Sequence, residues 1–312
     1  MKLRYQVGAP EGMVETITPS IRRILAPNPS PMTFTGTNTY LLGTTEIAVV
    51  DPGPDNCSHL NAIVEAITPG TQITKILITH SHVDHSPLAK ALSLRCGAKV
   101  YAFGDSFSGR SESMVKLAHL GTIGGGEGVD GGFQPDITLL DGAKLKHDSG
   151  YLTALWTPGH FGNHMSFAYG KYMFCGDHVM GWASSMVSPP DGDLIAFRQS
   201  CARLLARPET IYLPGHGDLI ENGPTRLRWL VAHRENREKQ ILTALGKQSD
   251  TAQGLAERIY SDIDPHLATA ATRNVLAHLI DLNTRKIILA NGIGMKKTIS
   301  TTSGFTTDLR IP

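Results

Sequence analysis

Two short β-prone runs, residues 37–42 and 47–50, flank Gly43-Thr44-Thr45 and predict a hairpin whose second strand ends in Asp51-Pro52-Gly53-Pro54. The period then changes. Leu60, Ile63, Val64 and Ile67 share one face of a predicted helix, with Ser58 as its N-cap. Residues 73–79 form a nearly continuous apolar run, the pattern of a strand buried on both faces. A helix over 88–94 and a strand over 98–103 follow, and this alternation predicts an α/β layered domain.

Between 104 and 134 the alternation stops. Seven glycines fall between Gly121 and Gly132, a density that predicts a flexible loop. No Gly-Lys-Ser/Thr ending supports a phosphate cradle. Strands resume at 151–157, 165–169 and 171–175, followed by a helix from Asp191 to about Leu205 and a short strand at 211–213. From Thr225 onward the pattern is helical through Lys247, again over 251–260 and again over 268–282, before a β-like ribbon begins at Lys286. This predicts two domains, 1–233 and 234–312, the second small and mainly helical.

Composition narrows the picture. Of the 312 residues 41% are hydrophobic and 18% charged, as in a globular chain. Lys and Arg (29) nearly balance Asp and Glu (28), so no overall field recruits nucleic acid. The balance conceals a split: residues 1–223 hold 16 basic and 20 acidic side chains, residues 224–312 hold 13 and 8. The four cysteines, far apart and without a C-x-x-C pair, read as buried free thiols. No signal peptide and no membrane-length apolar run is seen, so a soluble, cytoplasmic protein is expected. Nothing in the sequence indicates an oligomer.

The chemistry concentrates at strand ends. In Thr79-His80-Ser81-His82-Val83-Asp84-His85, alternate residues His80 and His82 project to one side of an extended segment. Three imidazoles and a carboxylate so close together suit zinc or a neighbouring first-row metal, and burying them without one would be costly. Further donors recur where other strands end: His160 in Pro158-Gly159-His160, Asp177 in Gly176-Asp177-His178, and His216 in Pro214-Gly215-His216.

In order and spacing these residues resemble the metallo-beta-lactamase superfamily, over roughly residues 15–225. The resemblance implies a four-layer αβ/βα sandwich with two divalent ions at the sheet edges, zinc first, with iron or manganese as alternatives. Carried over, His80, His82 and His160 would hold one metal, Asp84, His85 and His216 the second, and Asp177 would bridge them. Asp51 would support the site from behind. The implied reaction is hydrolysis by a hydroxide shared between the ions, with Asp84 orienting it. His164 and His178 are read either as leaving-group proton donors or as supporting histidines. A bridging aspartate resembles the thioesterase, lactonase and nuclease branches rather than true beta-lactamases.

Residues 28–41 and 176–182, running on to Ser188-Pro189-Pro190-Asp191-Gly192-Asp193, are similar to the beta-lactamase-like-protein-2 group, whose members add a winged-helix-like domain. That resemblance implies cleavage of single-stranded RNA, which favours basic residues with stacking aromatics. The C-terminal region offers Arg226, Arg228, Arg234, Arg237 and Lys239 but few aromatics, Trp229, Tyr260 and Phe305, and a solvated helix face explains those charges about as well. A small-molecule ester, thioester or lactone is the competing substrate. Iron-dependent persulfide dioxygenation is a further alternative, disfavoured by the full second-metal set.

Overall fold

The computed structural model describes residues 12–121, 123–148, 150–290 and 299–301. The chain opens with four antiparallel strands, β1 (Val14–Thr18), β2 (Ile21–Leu25), β3 (Asn38–Leu42) and β4 (Glu46–Val50). Helix α1 (Cys57–Glu65) then carries it to β5 (Gln72–Leu77), and α2 (Leu88–Cys96) to β6 (Lys99–Ala102). Helix α3 (Glu112–Leu120) precedes β7 (Ile137–Thr138). From β4 to β7 the pairing is parallel, because each helical crossover returns the chain in the same direction. The seven strands lie in chain order in one sheet.

A second sheet has the order β12-β11-β10-β9-β8, from β8 (Lys144–His147), β9 (Gly150–Trp156), β10 (Met165–Tyr169), β11 (Tyr172–Gly176) and β12 (Ile211–Pro214), with α4 (Leu194–Leu205) between the last two. The alternation of buried side chains decides the layering. Tyr40, Leu42, Val50 and Leu77 of the first sheet face Ala154, Met165, Phe167 and Phe174 of the second in one core. The opposite face of the first sheet, with Leu41, Val49 and Ile76, packs on Ile63 and Leu92 of α1 and α2. Met173 and Cys175 of the second sheet pack on Phe197 and Cys201 of α4. Helix, sheet, sheet, helix is the four-layer sandwich.

The remaining elements are α5 (Gly223–Leu245), α6 (Ala252–Ile259), a 3-10 turn (Pro265–Leu267), α7 (Ala268–Thr284), and a ribbon of β13 (Ile288–Ala290) with β14 (Ile299–Thr301). Position 234 falls within the continuous helix α5. Among the described residues no helix is long and apolar enough to cross a membrane. All four cysteines are free, but Cys57 is exposed and Cys96 half-buried, which corrects the expectation that all are buried. Part of the predicted ribbon, residues 291–298, and Phe305 lie outside the described residues.

One expectation is overturned: order does not stop at 104–134. Serine-capped α3 occupies part of that span, and Met114, Leu117 and Ile123 join the core formed by α5, α6 and α7. The glycine-rich residues 123–132 form a strap across the turn at residues 80–86. Val83 N donates to Gly128 O at 2.8 Å, and Asp130 N donates to Ser81 O at 2.9 Å. Ser86 Oγ donates to Asp130 Oδ2 at 2.7 Å. Glycine density removes intrinsic preference without preventing long-range bonds from choosing one path.

Helix α7 also carries an uncompensated group. His278 is fully buried and neither ring nitrogen has a hydrogen-bond partner. Burial first, then Arg234, Arg198, Arg237 and Arg285, hold its pKa well below the ordinary value. The unfolded chain therefore takes up this proton first, so stability falls as pH drops below about 6.5. His278→Leu is expected to stabilise the protein by about 1–2 kcal/mol at pH 7. The gap over wild type should widen at pH 5.5; urea denaturation at both values measures it, and a constant or reversed gap would refute the assignment.

Candidate metal centre

Five strand ends deliver the polar cluster. Asp51 follows β4, His80 follows β5, His160 follows β9, Asp177 follows β11 and His216 follows β12. The bends depend on glycines with no room for a side chain: at Gly159 (φ +146°) a Cβ would strike the backbone of Phe197.

The side chains form two adjoining sets. His82 Nδ1 lies 2.9 Å from His80 Nε2 and 3.2 Å from His160 Nε2. Nitrogens bound tetrahedrally to one zinc would be separated by about 3.3 Å, so this trio is already at ligand spacing. In the second set, His216 Nε2 is 3.2 Å and His85 Nε2 3.6 Å from Asp84 Oδ2. Asp177 stands between them: Oδ2 is 3.3 Å from His216 Nε2 and 3.8 Å from His160 Nε2, and Oδ1 is 3.6 Å from His85 Nε2.

Outward-facing ring nitrogens are held by the fold. His160 Nδ1 donates to Met186 O at 2.7 Å, and His216 Nδ1 to Gly36 O at 3.1 Å. Asp51 Oδ2 accepts from His85 Nδ1 at 3.0 Å and from Thr79 Oγ1 at 2.6 Å, while Oδ1 accepts from Thr79 N at 2.7 Å. Thr79 Oγ1 in turn lies 3.0 Å from His80 Nδ1. Asp51 thus fixes one histidine of each set, and Asp51→Asn is expected to cost about 10–100-fold in metal affinity. Competitive chelator titration measures this; an unchanged affinity would remove Asp51 from the supporting network.

The electrostatics separate the sets. Burial first, and then neighbouring histidines, lower the pKa of His80 far below its usual value and that of His82 to about 3. These rings are neutral, the form that binds metal. At His216 burial acts downward too, but Asp177 and Asp84 outweigh it and push the value up to about 10; His85 is raised for the same reason. His85 Nε2 and Asp177 Oδ1 are buried without a hydrogen-bond partner. Two orphaned donor atoms facing each other, among convergent imidazoles and carboxylates, fit bound cations and fit a closed polar network poorly.

All seven predicted ligand residues come together. His164 and His178 do not reach the solvent side. Both are fully buried behind the cluster, with His164 Nδ1 2.9 Å from Thr157 Oγ1 and His178 Nε2 3.6 Å from Cys201 Sγ. A proton donor has to reach the leaving group, and neither ring lines the cavity over the cluster, so this geometry favours support over proton donation.

That cavity, of about 420 Å³, is walled by Asp84, His160, Asp177 and His216 on one side. The other walls come from positions that sequence reasoning missed: Glu127 and Gly128 of the strap, Ser188 and Asp191, and His266, Thr269, Ala270 and Arg273 of the C-terminal helices. Arg273 gave no sequence signal, because a lone arginine in a helix reads as a solvated charge; in the fold it is 2% exposed.

A family model described as "Metallo-beta-lactamase superfamily" matches residues 32–216, more than half of the chain, and one described as "Beta-lactamase associated winged helix domain" matches residues 251–294. The Beta-lactamase-like protein 2 homolog of Drosophila melanogaster is 29% identical over 86% of this chain and 89% of its own length. The Atrochrysone carboxyl ACP thioesterase of Claviceps purpurea is 30% identical over 80% of this chain and 74% of its own. Lactamase-like protein adaB of Aspergillus niger is 29% identical over 74% of this chain, which spans 66% of that protein's length. The structure of a metallo-beta-lactamase family protein from Thermus thermophilus superposes with a TM-score of 0.74 at 24% identity, over 92% of this chain and 100% of that one, and shows the same fold. The chain therefore belongs to the metallo-beta-lactamase superfamily and carries the beta-lactamase associated winged-helix domain at its C-terminal side.

Proposed function

We propose that this protein is a binuclear metal-dependent hydrolase of acyl substrates, meaning esters, thioesters or lactones. His80, His82 and His160 would hold one divalent ion, Asp84, His85 and His216 a second, and Asp177 would contact both; the nitrogen and oxygen donors suit zinc, with iron or manganese as alternatives. Bound there, such ions would supply an acidified water and a Lewis acid for the substrate oxygen. The chain's own contribution is orientation. Asp84, with its side chain 21% exposed, is the ligand carboxylate most open to the cavity and is placed to accept a proton from the attacking water. Met32 and Val83, both half exposed at the mouth, offer apolar contact to an acyl chain.

The observation that carries the substrate class is the charge of the cavity wall. Of the carboxylates lining it, Asp84 and Asp177 would be offset by the ions they hold and Asp191 is paired with Arg110, which leaves Glu127, and among the described lining residues Arg273 is the one Lys or Arg. Its guanidinium is already committed to Ser188 Oγ and to the carbonyls of Ile123 and Pro189. Beyond the ions, a polyanion finds no uncommitted Lys or Arg among the described lining residues, whereas a small uncharged acyl substrate needs none. The basic residues expected to grip RNA are also largely occupied. Arg226 donates to Met180 O and Ala183 O, buried Arg234 to Ser185 O and Asn274 Oδ1, and Arg237 lies over Tyr260. The thioesterase name of the Claviceps relative supports the same reading. We place the division between the catalytic unit and the small C-terminal unit at 233/234, within α5.

A parallel screen tests this: an acyl-thioester, a p-nitrophenyl ester, a lactone, bis-p-nitrophenyl phosphate, single-stranded RNA and a cephalosporin. Metal-dependent turnover of an acyl substrate, abolished by chelation, is the expected result. Efficient RNA cleavage with no acyl turnover would overturn it.

A further inference from the structure

Arg273 emanates from the C-terminal unit, yet all its partners lie outside that unit. Nε donates to Ser188 Oγ at 2.8 Å, one terminal nitrogen donates to Ile123 O and the other to Pro189 O, and Glu127 Oε2 lies 3.6 Å from Nη2. These partners belong to two separate segments, the glycine strap 123–132 and the segment 186–191. Both contribute directly to the cavity wall, through Glu127 and Gly128 on one side and Ser188 and Asp191 on the other. Gly126 N also donates to Asp191 Oδ2 at 2.7 Å, so strap and segment meet again one step along.

The strap needs such anchors. Gly124, Gly125, Gly126 and Gly128 all adopt φ between +70° and +128°, conformations open to glycine but not selected by it. Its far end is fastened to the ligand turn through Val83 and Ser81, and its near end by the side chain of Ile123, 1% exposed in the C-terminal core. Between these ends the planar guanidinium, with five donors in fixed directions, meets three acceptors and a carboxylate at once. An ammonium group cannot span two carbonyls and a hydroxyl in that geometry.

The geometry points to Arg273 as a positioning residue: through it the C-terminal helix α7 sets the path of strap 123–132, and thereby the shape of the substrate wall facing the metal centre. The role concerns substrate fit and leaves the ligands alone, since no metal-ligating residue is among its partners. It rests on the reading of this cavity as the substrate site, while its mechanical half is independent of that reading.

The test compares Arg273→Met and Arg273→Lys with wild type, all as full-length, metal-loaded protein. Hydrogen exchange of peptides covering 123–132 is measured together with metal content, kcat and KM on the acyl substrate found in the screen. Arg273→Met is expected to raise exchange in the strap by on the order of tenfold and KM by about tenfold, with kcat within about threefold and metal content unchanged. Arg273→Lys should fall between the two, which a purely structural salt link would not produce. Strap exchange equal to wild type, or exchange raised uniformly across the chain, would overturn the proposal, as would a lost metal with unchanged KM. If Arg273→Met does not fold, Arg273→Lys and Ser188→Ala carry the same comparison. Should no acyl substrate turn over, the functional reading fails, and the exchange measurement, which needs no substrate, still decides whether Arg273 holds the strap.

Discussion

Asp177→Ala is expected to lower kcat/KM for hydrolysis by about 10³-fold and to reduce bound metal to one ion or fewer per chain. Asp177 is the carboxylate in contact range of both ligand sets, 3.8 Å from His160 Nε2 and 3.3 Å from His216 Nε2. Removing it leaves His216 with Asp84 as its remaining nearby carboxylate, and deprives His160 of its carboxylate contact. The damage should be local, because Asp177 follows β11 and leaves the strand's apolar side chains, Met173 and Phe174, in place. Circular dichroism and thermal melting should therefore show a folded protein while elemental analysis shows the lost metal. Asp177→Asn separates charge from shape: activity near wild type in that variant would show that the carboxylate charge is not what the site uses. His82→Ala tests the other set in the same way, and retained hydrolysis there would refute its place among the ligands.

Gly215→Ala should be nearly as damaging, for a steric reason. Gly215 does not need a left-handed backbone, so alanine is conformationally acceptable there. A Cβ at that position, however, would run into Asp177 Oδ1 and stand 2.7 Å from His85 Cε1. Because the space is taken by side chains of the cluster, the added methyl displaces ligand residues rather than the chain path. A loss of at least about 10²-fold in kcat/KM is expected, with a stability cost of about 1–3 kcal/mol from overpacking. Gly131→Ala is the matched control: its Cβ meets nothing within 4 Å and its φ is ordinary, so both activity and stability should hold. Normal metal content and turnover in Gly215→Ala would show that the cluster tolerates movement on that side.

Of the proposed ligand residues, His160, Asp177 and His216 are legible because each sits at a strand end marked by glycine or proline. His80, His82, Asp84 and His85 crowd into six residues after an apolar run, where period-2 projection puts His80 and His82 on one side. The predicted strand at 165–169 and helix at 251–260 fall on β10 and α6 for a related reason: their pattern of apolar positions is local. The glycine-rich span misleads because its order comes from partners far away in sequence. Val83, Asp191 and Arg273 fix it, and no local propensity reports such bonds. The basic residues of α5 likewise take their meaning from distant partners: as letters they form a platform, and in the fold Arg226 and Arg234 bond to carbonyls while Arg237 lies over the ring of Tyr260.

By itself the sequence determined the layered α/β class, the run of elements from β3 to β6 and the residues proposed as metal donors, since these depend on periodicity and on chemistry confined to a few neighbouring positions. Only the tertiary structure decided that His164 and His178 lie behind the centre, that the cavity wall carries carboxylates with one committed arginine, and that α7 closes the site opposite the ligands. Those properties depend on which distant segments meet. Meeting is settled by the summed burial of two sheets and a helical core, where a single buried arginine or a turn of glycines takes its meaning from what surrounds it.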